Sequence, residues 1–157
     1  NSTFEASMYV FAGIGVFHFN PKGELNKEWY ELQPLGTEGQ GISEARSKYK
    51  RTQLCIPIGF GGRYFFNRRW GMGFEFGIRK TFTDYIDDVS KTYYDNDAIS
   101  QANGPVAAAL ADPSLVETPA TNVGSQRGDP SDKDAYMFMI FSIHYKLRTG
   151  RTNFPIF

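Results

Sequence analysis

The stretch GMGFEFGIRKTFTDYIDD, Gly71 to Asp88, decides the fold. Its large apolar residues Met72, Phe74, Phe76 and Ile78 occupy every second position, and Trp70 precedes them in step. Between them stand Gly71, Gly73, Glu75, Gly77, Arg79, Thr81 and Thr83. Side chains of a strand alternate between faces, so one face is wholly apolar and the other is glycine-rich and charged. Glycine on a solvated sheet face weakens a strand without benefit. If lipid covers the apolar face, glycine on the other side makes room for long neighbours in a narrow lumen.

Three further segments read as strands. Arg51 to Asn67 places Leu54, Ile56, Ile58, Phe60, Tyr64 and Phe66 opposite Cys55, Pro57, Gly59, Gly61 and Arg63. Asp134 to Leu147 places Met137, Met139, Phe141, Ile143 and Tyr145 opposite Ser142, His144 and Lys146. Ala6 to Asn20 is apolar on both faces, so parity does not orient it.

The connections alternate in length. Only Asn67-Arg68-Arg69 joins the second and third segments, a tight polar hairpin. Pro21 to Lys50 and Ile86 to Lys133 are far longer than compact soluble domains usually tolerate. Outer-membrane barrels combine short periplasmic turns with long external loops. Trp70 to Ile78 spans roughly 26 Å along a strand, or roughly 20 Å across a membrane after tilt. Leu54 to Phe66 projects to roughly 30 Å, so the two bracket the expected apolar band of about 25 Å. Tyr64, Phe66 and Trp70 then form an aromatic girdle at one end, with Phe82 and Tyr85 toward the other.

Composition agrees with this pattern. The 157 residues carry 17 basic and 17 acidic side chains, which argues against a general nucleic-acid binder. One cysteine, Cys55, allows no internal disulfide and is expected to pack inside the barrel. No apolar run is long enough for a transmembrane helix. Four strands cannot close a membrane barrel, which takes about eight or more. The chain begins at Asn1 and is expected to be a fragment lacking N-terminal strands, with assembly of several copies as the other route to closure.

Pairing Phe66 with Trp70 puts Gly61 opposite Glu75 and Pro57 opposite Arg79. The expected product is a lumenal ion cluster of Arg63, Glu75 and Arg79, either lining a pore or neutralising the interior of a small barrel. Pro57 cannot donate to the ladder and is expected to mark a bulge. The aspartates from Asp84 to Asp134 lack the spacing of a calcium loop and are expected on a solvated surface. Gly104 to Glu117 is expected to contain a short helix stopped by Pro113. His18 and His144 lie on different strands near opposite ends, and neither a metal pair nor a catalytic base is expected from them. No nucleophile elbow, phosphate loop or zinc spacing is present, so neither enzymatic activity nor a cofactor is expected.

The stretches YVFAGIGVFHFNPK, WYELQPLGTEGQG, FEFGIRKTFTDYIDDVS and RGDPSDKDAYMF resemble the PorG-like outer-membrane β-barrel family of Bacteroidota, associated with the type IX secretion system. The resemblance runs from Tyr9 to Tyr145. It implies a single-chain barrel of eight strands, with this chain as the C-terminal half. It also implies a partner, the periplasmic ring of PorK and PorN, and no catalytic residues.

The resulting expectation is an all-β, antiparallel up-and-down transmembrane β-barrel, one domain over residues 1–157, in the bacterial outer membrane. Its partners are outer-membrane lipid and PorK/PorN-type ring proteins. The turn bearing Arg68 and Arg69 and the tail RTGRTNFPIF, both basic, are the expected periplasmic contacts. Two alternatives stay open: a surface barrel that is passive or binds external ligands, and a soluble lipocalin-like binding barrel.

Overall fold

The computed structural model describes residues 5–116 and 122–147, and within them the chain is dominated by antiparallel sheet. The strands are β1 (Glu5–Ala12), β2 (Gly15–His18), β3 (Lys22–Leu25), β4 (Glu28–Glu31), β5 (Thr52–Phe65), β6 (Trp70–Thr81) and β7 (Ala135–Tyr145). The principal sheet runs β1-β5-β6-β7, with β2 also paired to β5. β1 to β7 is an open path, and among the described residues no pairing closes it into a barrel.

All four expected strand segments form strands. The first is divided into β1 and β2, and both pair with β5: Ala12 with Ile58, and Gly15 with Cys55. The register is unchanged across the gap, so Pro57 does not create a bulge. Pro57 instead lies opposite the interruption, where its missing N–H leaves no partner stranded, and its carbonyl accepts from Gly13 N at 3.0 Å.

The chain divides into two compact units. One draws on Asn1–Gly13, Ile56–Arg79 and Tyr136–Phe157, and the other on Ile14–Cys55 and Lys80–Ala135. In the first unit the apolar face is exposed. Met8, Ile58, Met72 and Phe141 are 89%, 57%, 54% and 78% accessible. This orients β1, which parity left undecided: Met8 and Val10 share the exposed face, while Tyr9 and Phe11 lie on the glycine face.

The glycines are where neighbouring rings lie. A Cβ on Gly61 would stand 2.5 Å from Tyr9 Cζ, and one on Gly77 2.5 Å from Phe138 Cζ. Gly59 is covered by Phe11 and by the Phe76 carbonyl, and Gly71 by Phe65. Gly73 lies under Ser142 and His144, which pair at 2.9 Å. Room for large side chains is therefore what the glycine-rich face supplies.

In the second unit the two long connections carry structure of their own. Pro21–Lys50 contains the β3–β4 hairpin, turned by Asn26 and Lys27 at φ 53° and 68°, and the short helix α1 (Leu32–Leu35). The other connection contains α2 (Asn96–Asn103) and α3 (Pro105–Ala111). Asp95 caps α2 through its carboxylate, which accepts from the amides of Asp97 and Ala98. α3 is the helix expected within Gly104–Glu117; Pro105 opens it, and it ends before Pro113. Ile99, Ala107, Ala108 and Ala111 form a core against Leu35, Ile42 and Tyr94.

Candidate functional site

The glycine face of β5 and β6 carries Arg63, Glu75 and Arg79, but not as a three-way ion cluster. Glu75 Oε2 accepts from the Tyr9 hydroxyl at 2.8 Å. Arg63 lies 5.4 Å above the Tyr9 ring, so Tyr9 stands between the two charges. Arg79 lies 4.5 Å above the Phe138 ring and 5.5 Å above Tyr136. Among the described residues no ion pair joins Glu75 to either arginine. The physical reason is the glycine row, which lets rings from β1 and β7 reach the charges before the charges reach each other. Parity alone could have placed Tyr9 on this face once β1 was oriented.

The same face is strongly concave. Tyr9 belongs to β1 and Glu75 to β6, so their bond crosses β5. Lys146, just beyond β7, reaches Glu5 on β1 at 2.8 Å. Three interstrand steps of about 4.8 Å separate such strands in a flat sheet, so this contact requires curl.

At the same end lies the turn after β5. Asn67 Oδ1 accepts from the amides of Arg69 and Trp70, both at 2.8 Å, and fixes the turn. Lys146 N donates to the Arg69 carbonyl at 2.7 Å. Arg69 Nη1 stands 3.4 Å from the Tyr145 hydroxyl, and the Tyr145 and Trp70 rings are 4.7 Å apart. Arg68, Arg69, Lys146 and Leu147 line a groove of about 340 Å³. Arg68 and Arg69 thus acquire Lys146, Tyr145 and Trp70 as neighbours. The tail RTGRTNFPIF lies outside the described residues.

The second unit holds a buried polar hub that its loop-like sequence concealed. Glu38 Oε1 accepts from Ser90 N at 2.9 Å and Arg127 Nη1 at 3.1 Å. The Asp88 carboxylate accepts from Thr37 and, at 2.7 Å, from Tyr49. Arg46 ties the Glu38 and Thr92 carbonyls at 2.6 and 2.9 Å. Asp84 and Asp88 are buried, which corrects their assignment to a solvated surface. Burial pushes the Asp88 carboxyl above the usual carboxylate range, against the lowering effect of Thr37, Tyr49 and Arg127. Burial raises Asp84 as well. Burial, and then the Asp88 charge, push the Tyr49 phenol up. Gly36, Gly39 and Gly41, at φ 60°, 79° and 79°, give the backbone its path through the hub.

Cys55 is buried against Gly15. His18 pairs with Thr52 at 3.0 Å. Among the described residues no group of three acidic, histidine or cysteine side chains converges as metal ligands. No protein-family model, curated protein or solved structure matches the chain.

Proposed function

We propose that this chain forms part of an outer-membrane β-barrel that serves type IX protein secretion as a non-enzymatic assembly component. One observation carries the membrane half of the proposal: the large side chains of β1, β5, β6 and β7 form a continuous exposed apolar face. Soluble monomers rarely expose apolar patches beyond a few hundred Å². The strands fit the same solvent. β5, β6 and β7 have 14, 12 and 11 residues, enough to cross a bilayer when tilted. Concavity toward the glycine face supports closure around a small lumen, and the open edges of β1 and β7 call for further strands in lipid. The secretion half rests on the resemblance to PorG-like barrels, with the PorK/PorN-type ring as partner.

Two measurements test the two halves separately. A barrel should require detergent for extraction and migrate faster on a gel before heating than after. Recovery in the aqueous fraction would instead favour the lipocalin-like reading. Deletion in the producing bacterium should abolish secretion, and intact secretion would remove the assembly role.

The compactness of the second unit favours a second reading, a surface barrel that presents a preformed ligand-binding module. Loops held by a buried hub are already ordered, which lowers the entropic cost of recognition. Binding of external ligands by cells with normal secretion would support it.

A further inference from the structure

We infer that the turn after β5 is a clamp for lipid headgroup phosphates, built from Arg68 and Arg69. The inference rests on the membrane reading above and adds a ligand to it. Both arginines line one groove with Lys146 and Leu147, and the Asn67 side chain together with the Lys146–Arg69 backbone bond holds the turn in shape. No carboxylate among the described residues pairs with Arg68 or Arg69, whereas Lys146 pairs with Glu5. The Lys146 ammonium is turned to the glycine face, against Glu5 and the Phe65 ring, so the excess positive charge in the groove is that of Arg68 and Arg69.

Beside the groove, Trp70 and Tyr145 are half-exposed, with their rings in contact. From Trp70 the exposed face continues directly into Met72. Cationic groove and apolar face therefore adjoin, and a ligand covering both must be an amphiphile with an anionic head. Amphipathic rings settle at headgroup depth, and guanidinium groups present paired donors that match phosphate oxygens. An acidic protein surface would satisfy the cations but leave the adjoining apolar face uncovered.

Native mass spectrometry of the full protein extracted in detergent, with phosphatidylglycerol as the probe, tests the clamp. Wild type should retain lipid adducts. Arg68→Gln should weaken retention about fivefold, and Arg68→Gln/Arg69→Gln on the order of twentyfold, since each basic residue near an anionic surface contributes about a factor of five. The single variant guards against misfolding, because the Arg68 side chain has no partner among the described residues that its loss would break. Retention unchanged in both variants overturns the clamp. Equal binding of inorganic phosphate alone reassigns the groove to a free anion and overturns it too. So does loss of ring-protein capture with lipid retention intact, which would give the turn to a protein partner. Failure of the membrane reading would show earlier and separately, as wild-type protein recovered without detergent.

Discussion

Arg127 Nη1 meets Glu38 Oε1 at 3.1 Å, with side chains only 9% and 0% accessible. The same guanidinium nitrogen donates to the Asp88 carbonyl at 2.9 Å. Removing one partner of a buried pair strands the other charge and typically costs about 3–5 kcal/mol. Glu38 keeps the amides of Ser90 and Lys91, so Arg127→Met should fall near the lower figure. Amide hydrogen exchange across residues 80–116 should accelerate accordingly. Unchanged protection would show that the pair does not hold the second unit together.

Acidity should act on the same hub. The Asp88 carboxyl is raised in the folded state by burial. A carboxyl raised on folding binds its proton more tightly folded than unfolded. Its contribution to stability is therefore full at low pH and is lost as pH rises through the raised value. The second unit should thus lose stability as pH rises from the ordinary carboxylate range through that value. Asp84 has the same sign, so Asp88→Asn should flatten this slope without abolishing it. A urea midpoint series across pH reads the slope directly; an identical slope in the variant would exclude Asp88 as its source.

Two nearby glycines on opposite faces of β5 should answer differently to a single methyl group. A Cβ on Gly59 would collide with the Phe76 carbonyl and stand 2.8 Å from Phe11 Cε1. A Cβ on Gly62 would meet nothing closer than the Ser7 carbonyl at 3.6 Å. Gly59→Ala should cost about 1–3 kcal/mol through overpacking, and Gly62→Ala should be near neutral or better. Thermal midpoints of the two variants compare them; equal midpoints would mean that the glycine face is not close-packed.

The exposed face offers the sharpest contrast between solvents. Phe141 is 78% accessible. If lipid covers it, Phe141→Arg should cost about 2–4 kcal/mol near the middle of the membrane. If water covers it, the same change should stay within about 0.5 kcal/mol. The yield of the heat-modifiable folded form, set against Phe141→Leu, separates the two.

Much of the sheet was legible from period alone. Met72, Phe74, Phe76 and Ile78 alternate with glycine and charge, and alternation is a local property of the chain. Orientation of β1 was not legible, because Met8 and Val10 are as apolar as Tyr9 and Phe11. What separates them is the partner strand: Tyr9 and Phe11 both lie opposite glycines, Gly61 and Gly59, whereas Val10 lies opposite Phe60. The β3–β4 hairpin was hidden for a different reason. Asn26 and Lys27 form its turn at positive φ, where sequence habit favours glycine after asparagine. Asp88 read as a solvated loop charge because its partner Tyr49 lies far along the chain, and nothing local marks Glu38 as the partner of the equally distant Arg127. Arg63, Glu75 and Arg79 do not meet as a cluster because the rings beside them belong to other strands, which the sequence of β5 and β6 does not show.

The first unit is assembled from three separated pieces of chain, and this has a consequence for the order in which the protein acquires its structure. β5 and β6 are joined by a short fixed turn and can pair as soon as both exist. β1 must wait for β5, and the Lys146–Glu5 contact closes a separation of 141 residues. Contacts that distant delay folding, because the entropy of loop closure is lost before the contact repays it. Until β7 arrives, the edge of β6 stands unpaired. Such an intermediate, with an unpaired strand edge, is prone to aggregate.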